Sequence, residues 1–250
     1  MVASAGAAVQ VAPNRFYLTM ALTCALVAIL GFVPTYWAPL AAGTLAEAPI
    51  VHLHAVLFTA WSAFFVAQAA LVAAGRVARH RALGLVGISL ATGMLLVGLA
   101  TAIHSTGVQI AMGFADRARG FMIVPVTTIL FFACAVSFAI ANRTRPEIHK
   151  RLMLVASIAI LMAAVGRIVR FALGRAGMLD GPPPIEFSIL PALITDLLIV
   201  AAMIHDRRSR GRVHPAYWIG GGAWLAIQLG RIPFSKTPQW QAAVDWLLAF

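Results

Sequence analysis

Runs of about 20 apolar residues recur along this chain, and no other feature constrains its fold as strongly. Seven can be marked out: 16–34, 50–74, 83–104, 120–141, 152–173, 186–204 and 215–232. The hydrocarbon core of a bilayer offers no water to an open backbone, so each run must close its hydrogen bonds within itself as a helix. The expected fold is all-α: a single integral membrane domain over residues 1–250, a bundle of about seven transmembrane helices. Composition agrees, with 61% hydrophobic residues, 11% charged residues and a mean hydropathy of +0.89. Soluble domains are about half apolar and about a quarter charged.

The loops give the orientation. Arg76, Arg79 and Arg81 fill the second loop; Arg143, Arg145, Lys150 and Arg151 the fourth; Arg207, Arg208, Arg210 and Arg212 the sixth, with Arg15 before the first span. These loops alternate, so they share one side. The positive-inside rule then predicts a multi-pass protein of the inner (cytoplasmic) membrane with its N-terminus in the cytoplasm and its C-terminus outside. The net charge of +11 sits in these loops instead of lining one face. That argues against a nucleic-acid partner and for the bilayer itself, with anionic lipid or an acidic partner at the basic loops. The other side is richer in proline and acid: Glu47, Asp116, Asp180, Pro182–Pro184 and Glu186. No cleavable signal peptide is evident before the first span. Beyond the last one, Pro238 can start an interfacial helix over 238–250, with Trp240, Ala243, Trp246, Leu247 and Phe250 on one side, or an arm packed on a neighbouring subunit.

Between spans two and three lies the feature with most chemical content. His54 and His104 are equally distant in sequence from the middle of the joining loop, near residue 79. In antiparallel helices that symmetry places both imidazoles level, about 30 Å from the loop. His54, Phe58, Trp61, Phe65 and Gln68 recur at helical spacing, and a polar stripe in a membrane helix faces the bundle. Two imidazoles on neighbouring helices suit haem iron or a divalent transition metal, Zn, Cu or Fe. Trp61 and Gln68 would line the pocket floor; His52, Glu47 and Asp116 are the candidates for further ligands. Cys24 and Cys134 show no paired spacing and read as ordinary membrane residues.

A second constellation is charge within the apolar runs. Arg167 and Arg170 lie in span five and Asp196 in span six. Counting from an outer turn near residue 180 brings Arg167 level with Asp196, and an intramembrane ion pair is expected between them. Arg170, with Arg175 farther out, is left for a carboxylate or phosphate, such as a haem propionate or a lipid headgroup. Nucleophile-elbow, zinc-protease, phosphate-loop and covalent-haem motifs are absent, and Gly220–Gly222 reads as a close-packing point.

A weak repeat links Arg76-x-x-x-His80-Arg81-x-Leu83 to Arg145-x-x-x-His149-Lys150-x-Leu152, offset by 69 residues. The phrases His52-x-His54-Ala55-x-x-Phe58-x-x-Trp61, HRALG and EIHKRLM, spread over residues 50–160, resemble bacterial multi-pass membrane proteins with a His-Arg-x-Leu-Gly loop, a group without a settled activity. More distantly the chain resembles membrane haem proteins of the cytochrome b561 kind, which place one histidine pair near each membrane face. Only His54 and His104 fit that role, so the resemblance implies a single outer haem b or metal serving electron transfer or a membrane oxidoreductase. A redox partner or a homo-oligomer would accompany it. The rival readings are a small transporter or lipid-handling protein working through Arg167, Arg170 and Asp196, and a non-catalytic assembly subunit.

Overall fold

The structure is a computed structural model in which residues 15–174 and 181–249 are described. All regular structure among them is helical. Six helices are long and apolar enough to cross a membrane: α1 (Phe16–Ala41), α2 (Pro49–Ala73), α3 (Gly84–Ala111), α4 (Ala115–Ala141), α5 (Pro146–Gly174) and α6 (Ile185–Arg210). Two more follow, α7 (Pro215–Ser235) and α8 (Pro238–Leu248). This is a multi-pass membrane protein.

Proline begins several of these helices, because the first turn needs no partner for its missing N–H. Pro215 and Pro238 are each preceded by a capping side chain: His214 Nδ1 accepts from Ala216 N at 3.1 Å, and Thr237 Oγ1 from Trp240 N at 3.3 Å. Left-handed glycines, Gly75 (φ 71°) and Gly211 (φ 73°), follow the ends of α2 and α6, a backbone conformation that residues with a Cβ adopt only at a cost. The helices run past the apolar runs by up to about two turns. Hydropathy registers only the stretch in hydrocarbon, whereas the helix continues into the headgroup layer. Thus α3 continues seven residues beyond His104, which sets that imidazole about 10 Å inside the helix end. Near its far end α1 widens into a π-turn, Val33–Trp37, around Pro34, a local loosening of the ladder typical of such sites.

The central helices are α4 and α5, half or more of whose spans are buried, and the others surround them. Phe132, Leu154, Val155 and Ile158 lie at the middle of the core, while Leu22, Leu26, Leu85, Leu96 and Leu197 face outward for lipid. Small residues set the closest approach: a Cβ on Gly31 of α1 would stand 2.6 Å from the Ala164 backbone oxygen of α5. Side-chain-free contact of this kind is how membrane helices gain packing energy. The loops after α2, α4 and α6 form one basic end of the bundle. There the repeat-equivalent His80 and His149 meet edge to face, ring centroids 6.2 Å apart. Helix α8 buries Trp240 and Val244 against its own chain, with Trp240 Nε1 donating to Arg119 O at 3.0 Å and Asp245 pairing with Arg119. Trp246, expected on the same side as Trp240, is exposed, and Phe250 lies outside the described residues.

Candidate functional site

Side chains with hydrogen-bonding capacity recur along one face of α7 at steps of seven, four, three and four: Tyr217, Trp224, Gln228, Arg231 and Ser235. All five are buried, none more than 3% exposed. That is the heptad-like spacing of a single helical stripe, turned toward α5 and α6. Gln228 Nε2 donates to Asp196 Oδ1 of α6 at 3.2 Å. Arg231, 2% exposed, directs Nη2 at Met162 Sδ (3.2 Å) and Ser188 O (3.4 Å), and its Nε and Nη1 have no partner among the described residues. Two further buried groups near it are also unmatched among the described residues, Ser188 Oγ and Gln228 Oε1. Among the described residues Arg231 forms no ion pair within 4 Å. A cation held in the bundle with two idle donors is costly to maintain, and such residues mark functional sites in membrane proteins.

The stripe is interrupted once. Between Tyr217 and Trp224, a rise of about 10 Å, α7 carries Gly220 and Gly221, which pack against Leu152 and Val155 of α5 and Ile199 of α6. Below this apolar layer Tyr217 OH lies 3.5 Å from Tyr17 OH. Beyond the tyrosines the stripe reaches a polar hub at the basic end. Arg151, 1% exposed, donates from Nε to Asp206 Oδ2 (2.8 Å) and from Nη2 to Asp206 Oδ1, and from Nη1 to Glu147 O (2.7 Å) and Oε2 (2.8 Å). Lys150 and Arg210 also pair with Glu147, and His214 N donates to Asp206 Oδ2 at 3.1 Å. A cleft of about 380 Å³ opens here between Tyr17, Lys150, His205, Ser209 and Arg210. Burial first, then neighbouring cations, holds two histidines at this end below the usual imidazole range: His149 and Arg81 act on His80, Arg151 and Arg210 on His214.

The residues singled out from the sequence are dispersed. His54 stacks on Phe58 (centroids 4.0 Å apart) with its Nδ1 buried and unpartnered; it shares neither a hydrogen bond nor a ring contact with the half-buried His104. His52 Nδ1 is 2.9 Å from Tyr36 OH, a partner that the π-turn of α1 brings within reach. Among the described residues no three His, Cys, Asp or Glu side chains group as a metal site, so Glu47 and Asp116 complete no ligand set with the histidines. Trp61 donates from Nε1 to Ser157 Oγ (3.3 Å) in the core, and Gln68 donates to His80 O (3.4 Å) at the basic end. That places Gln68 about 21 Å along α2 from His54, too far to floor a pocket there.

The expected Arg167–Asp196 ion pair is replaced by other partners. Arg167 lies over the Phe32 ring of α1, 4.3 Å from its centroid, and donates to Ala163 O at 3.3 Å. Gly166 is the α5 residue that faces Pro191 of α6, and Arg167, one residue on, is rotated about 100° away from that contact. Arg170 donates to Gly181 O beside a small cavity lined by Gln109, Met112 and Phe114; Arg175 and Asp180 lie outside the described residues. No family model matches the chain, and neither the curated proteins nor the solved structures give a match.

Proposed function

We propose that the protein is a seven-span carrier of the cytoplasmic membrane that moves a small anion along α7. In this reading α7 is the seventh span, the basic end is cytoplasmic with the N-terminus, and α8 lies at the outer face with the C-terminus. Twenty-one residues in α7 are enough to cross a hydrocarbon core of about 30 Å. The supporting observation is the buried stripe itself: the polar stretch Trp224 to Ser235 of α7, separated by an apolar layer at Gly220–Gly221 from Tyr217 and the Arg151 hub. A carrier needs a central charged site reached from one side at a time, with a closure that small movements can open. Arg231 and Asp196 lie on the outer side of the layer, and the Arg151 hub with its cleft on the inner side.

The test is flux in liposomes. Vesicles containing the protein, given an inward nitrate gradient and an acidic outer medium, are expected to take up nitrate faster than protein-free vesicles. Asp196→Asn is expected to reduce uptake to the protein-free level. Wild-type protein no faster than empty vesicles would overturn the carrier reading.

A second reading is favoured by one observation, the orphaned and buried Nδ1 of His54. Imidazoles whose ring nitrogen lacks a protein partner are candidates for ligation. In this reading His54 and His104 hold haem b or a Zn, Cu or Fe ion near the outer face for electron transfer, with Arg170 near the cofactor's carboxylates. A reduced-minus-oxidised absorption spectrum with elemental analysis decides it. Bound haem or metal that disappears in His54→Ala/His104→Ala protein is the expected result; a colourless, metal-free wild type would end the reading.

A further inference from the structure

We infer that Arg231 and Asp196 form a coupled site at which one small monovalent anion binds together with one proton. The inference deepens the carrier reading and rests on it for the site's place in transport. Asp196 and Arg231 sit on facing helices, bridged by Gln228, which bonds Asp196 and lies three residues before Arg231 on α7. The two charges lie within electrostatic reach of each other, yet among the described residues they form no direct pair within 4 Å. The low dielectric of the bundle therefore leaves room for one negative charge and not two. With Asp196 ionised, the site is neutral and an arriving anion would make it negative. With Asp196 protonated, Arg231 stands uncompensated, and its free Nε and Nη1 are donors for the anion, with Ser188 Oγ beside them.

The bonding at Gln228 is ready for that proton. Its amide N–H already donates to Asp196 Oδ1, while its own Oε1 is buried and accepts nothing. An Asp196 carboxylic acid can return its O–H to that oxygen, closing a two-bond acid–amide pair that the carboxylate cannot make. The proton thus satisfies one orphan and the anion satisfies two. Among the described residues, the nearby ionisable side chains are engaged elsewhere: Arg167 of α5 is turned onto Phe32 of α1, and Glu186 and Lys236 pair with each other.

Nitrate is the suitable probe, because it stays ionised across the whole pH range. Calorimetric titration of the detergent-purified full chain, in buffers of different ionisation enthalpy, is expected to show nitrate binding with uptake of one proton. The affinity is expected to fall by about tenfold per pH unit once Asp196 ionises. Asp196→Asn preserves both bonds to Gln228 and is expected to bind nitrate at the low-pH affinity without pH dependence; Arg231→Gln is expected not to bind. Nitrate binding without proton uptake, or no binding by folded wild type, would overturn the inference, and neither measurement depends on a variant. Because binding is read in detergent, its outcome is separate from flux: binding with proton uptake but no transport sinks the carrier reading alone, and transport without linked proton uptake sinks the coupling alone.

Discussion

Arg151→Met protein is expected to lose about 3–5 kcal/mol of stability, the cost of leaving a buried charge without its partner. Arg151 and Asp206 are each 1% exposed. Their side-on pairing, Nε and Nη2 against the two carboxylate oxygens, is the geometry in which a guanidinium binds most specifically. The same carboxylate receives His214 N, which ties the end of α6 to the start of α7, and Arg151 Nη1 holds the first turn of α5 through Glu147. Removing the guanidinium strands Asp206 with one backbone N–H and releases three helices at once. Thermal melting in detergent measures the loss. Arg151→Met/Asp206→Leu, which removes both charges, is expected to recover most of it. A single variant that melts with the wild type would mean that the hub is open to water and holds nothing together.

Hydropathy made the bundle legible because hydrocarbon length imposes the same demand on every span. Proline at the helix starts and left-handed glycine at the ends followed local backbone rules that act without tertiary context. Which face of each helix points inward was harder to read. Leu22 and Leu26 on α1 face lipid while Cys24 is buried, and all are apolar, so periodicity separates them poorly when both environments are apolar. Depth along the chain placed Arg167 near Asp196, yet rotation about the helix decides contact, and Arg167 faces α1. The cation that shares a site with Asp196 is Arg231, in the last turns of α7, where a basic residue resembles an interfacial anchor. The spacing of Trp224, Gln228 and Arg231 was there to be read, but only the packing of α7 against α6 gives it meaning. The hub was hidden for the opposite reason: Arg151 stands in a run of basic loop residues, and nothing local distinguishes it from its solvated neighbours. In α8, the wheel that put Trp240 and Trp246 together could not register the carbonyl of Arg119 in the first turns of α4 that draws Trp240 inward.

Arg231→Met combined with Asp196→Asn, which leaves no carboxylate uncompensated, is expected to do the reverse of Arg151→Met: to raise stability, by about 1–4 kcal/mol, while abolishing nitrate binding and flux. Both arginines are buried, and the difference lies in their partners. Arg151 spends every nitrogen on acceptors. Arg231 spends one, on a sulfur and a distant carbonyl, and keeps two donors idle. A methionine of similar length would recover the desolvation cost and fill the same volume beside Met162, while the amide of Asp196→Asn keeps the bond to Gln228. A group kept at the expense of stability is one retained for what it binds. Parallel melting and nitrate titration of the same preparation give the two readouts. A variant that melts lower than the wild type would show that Arg231 is a structural strut, and the anion site would then lose its basis.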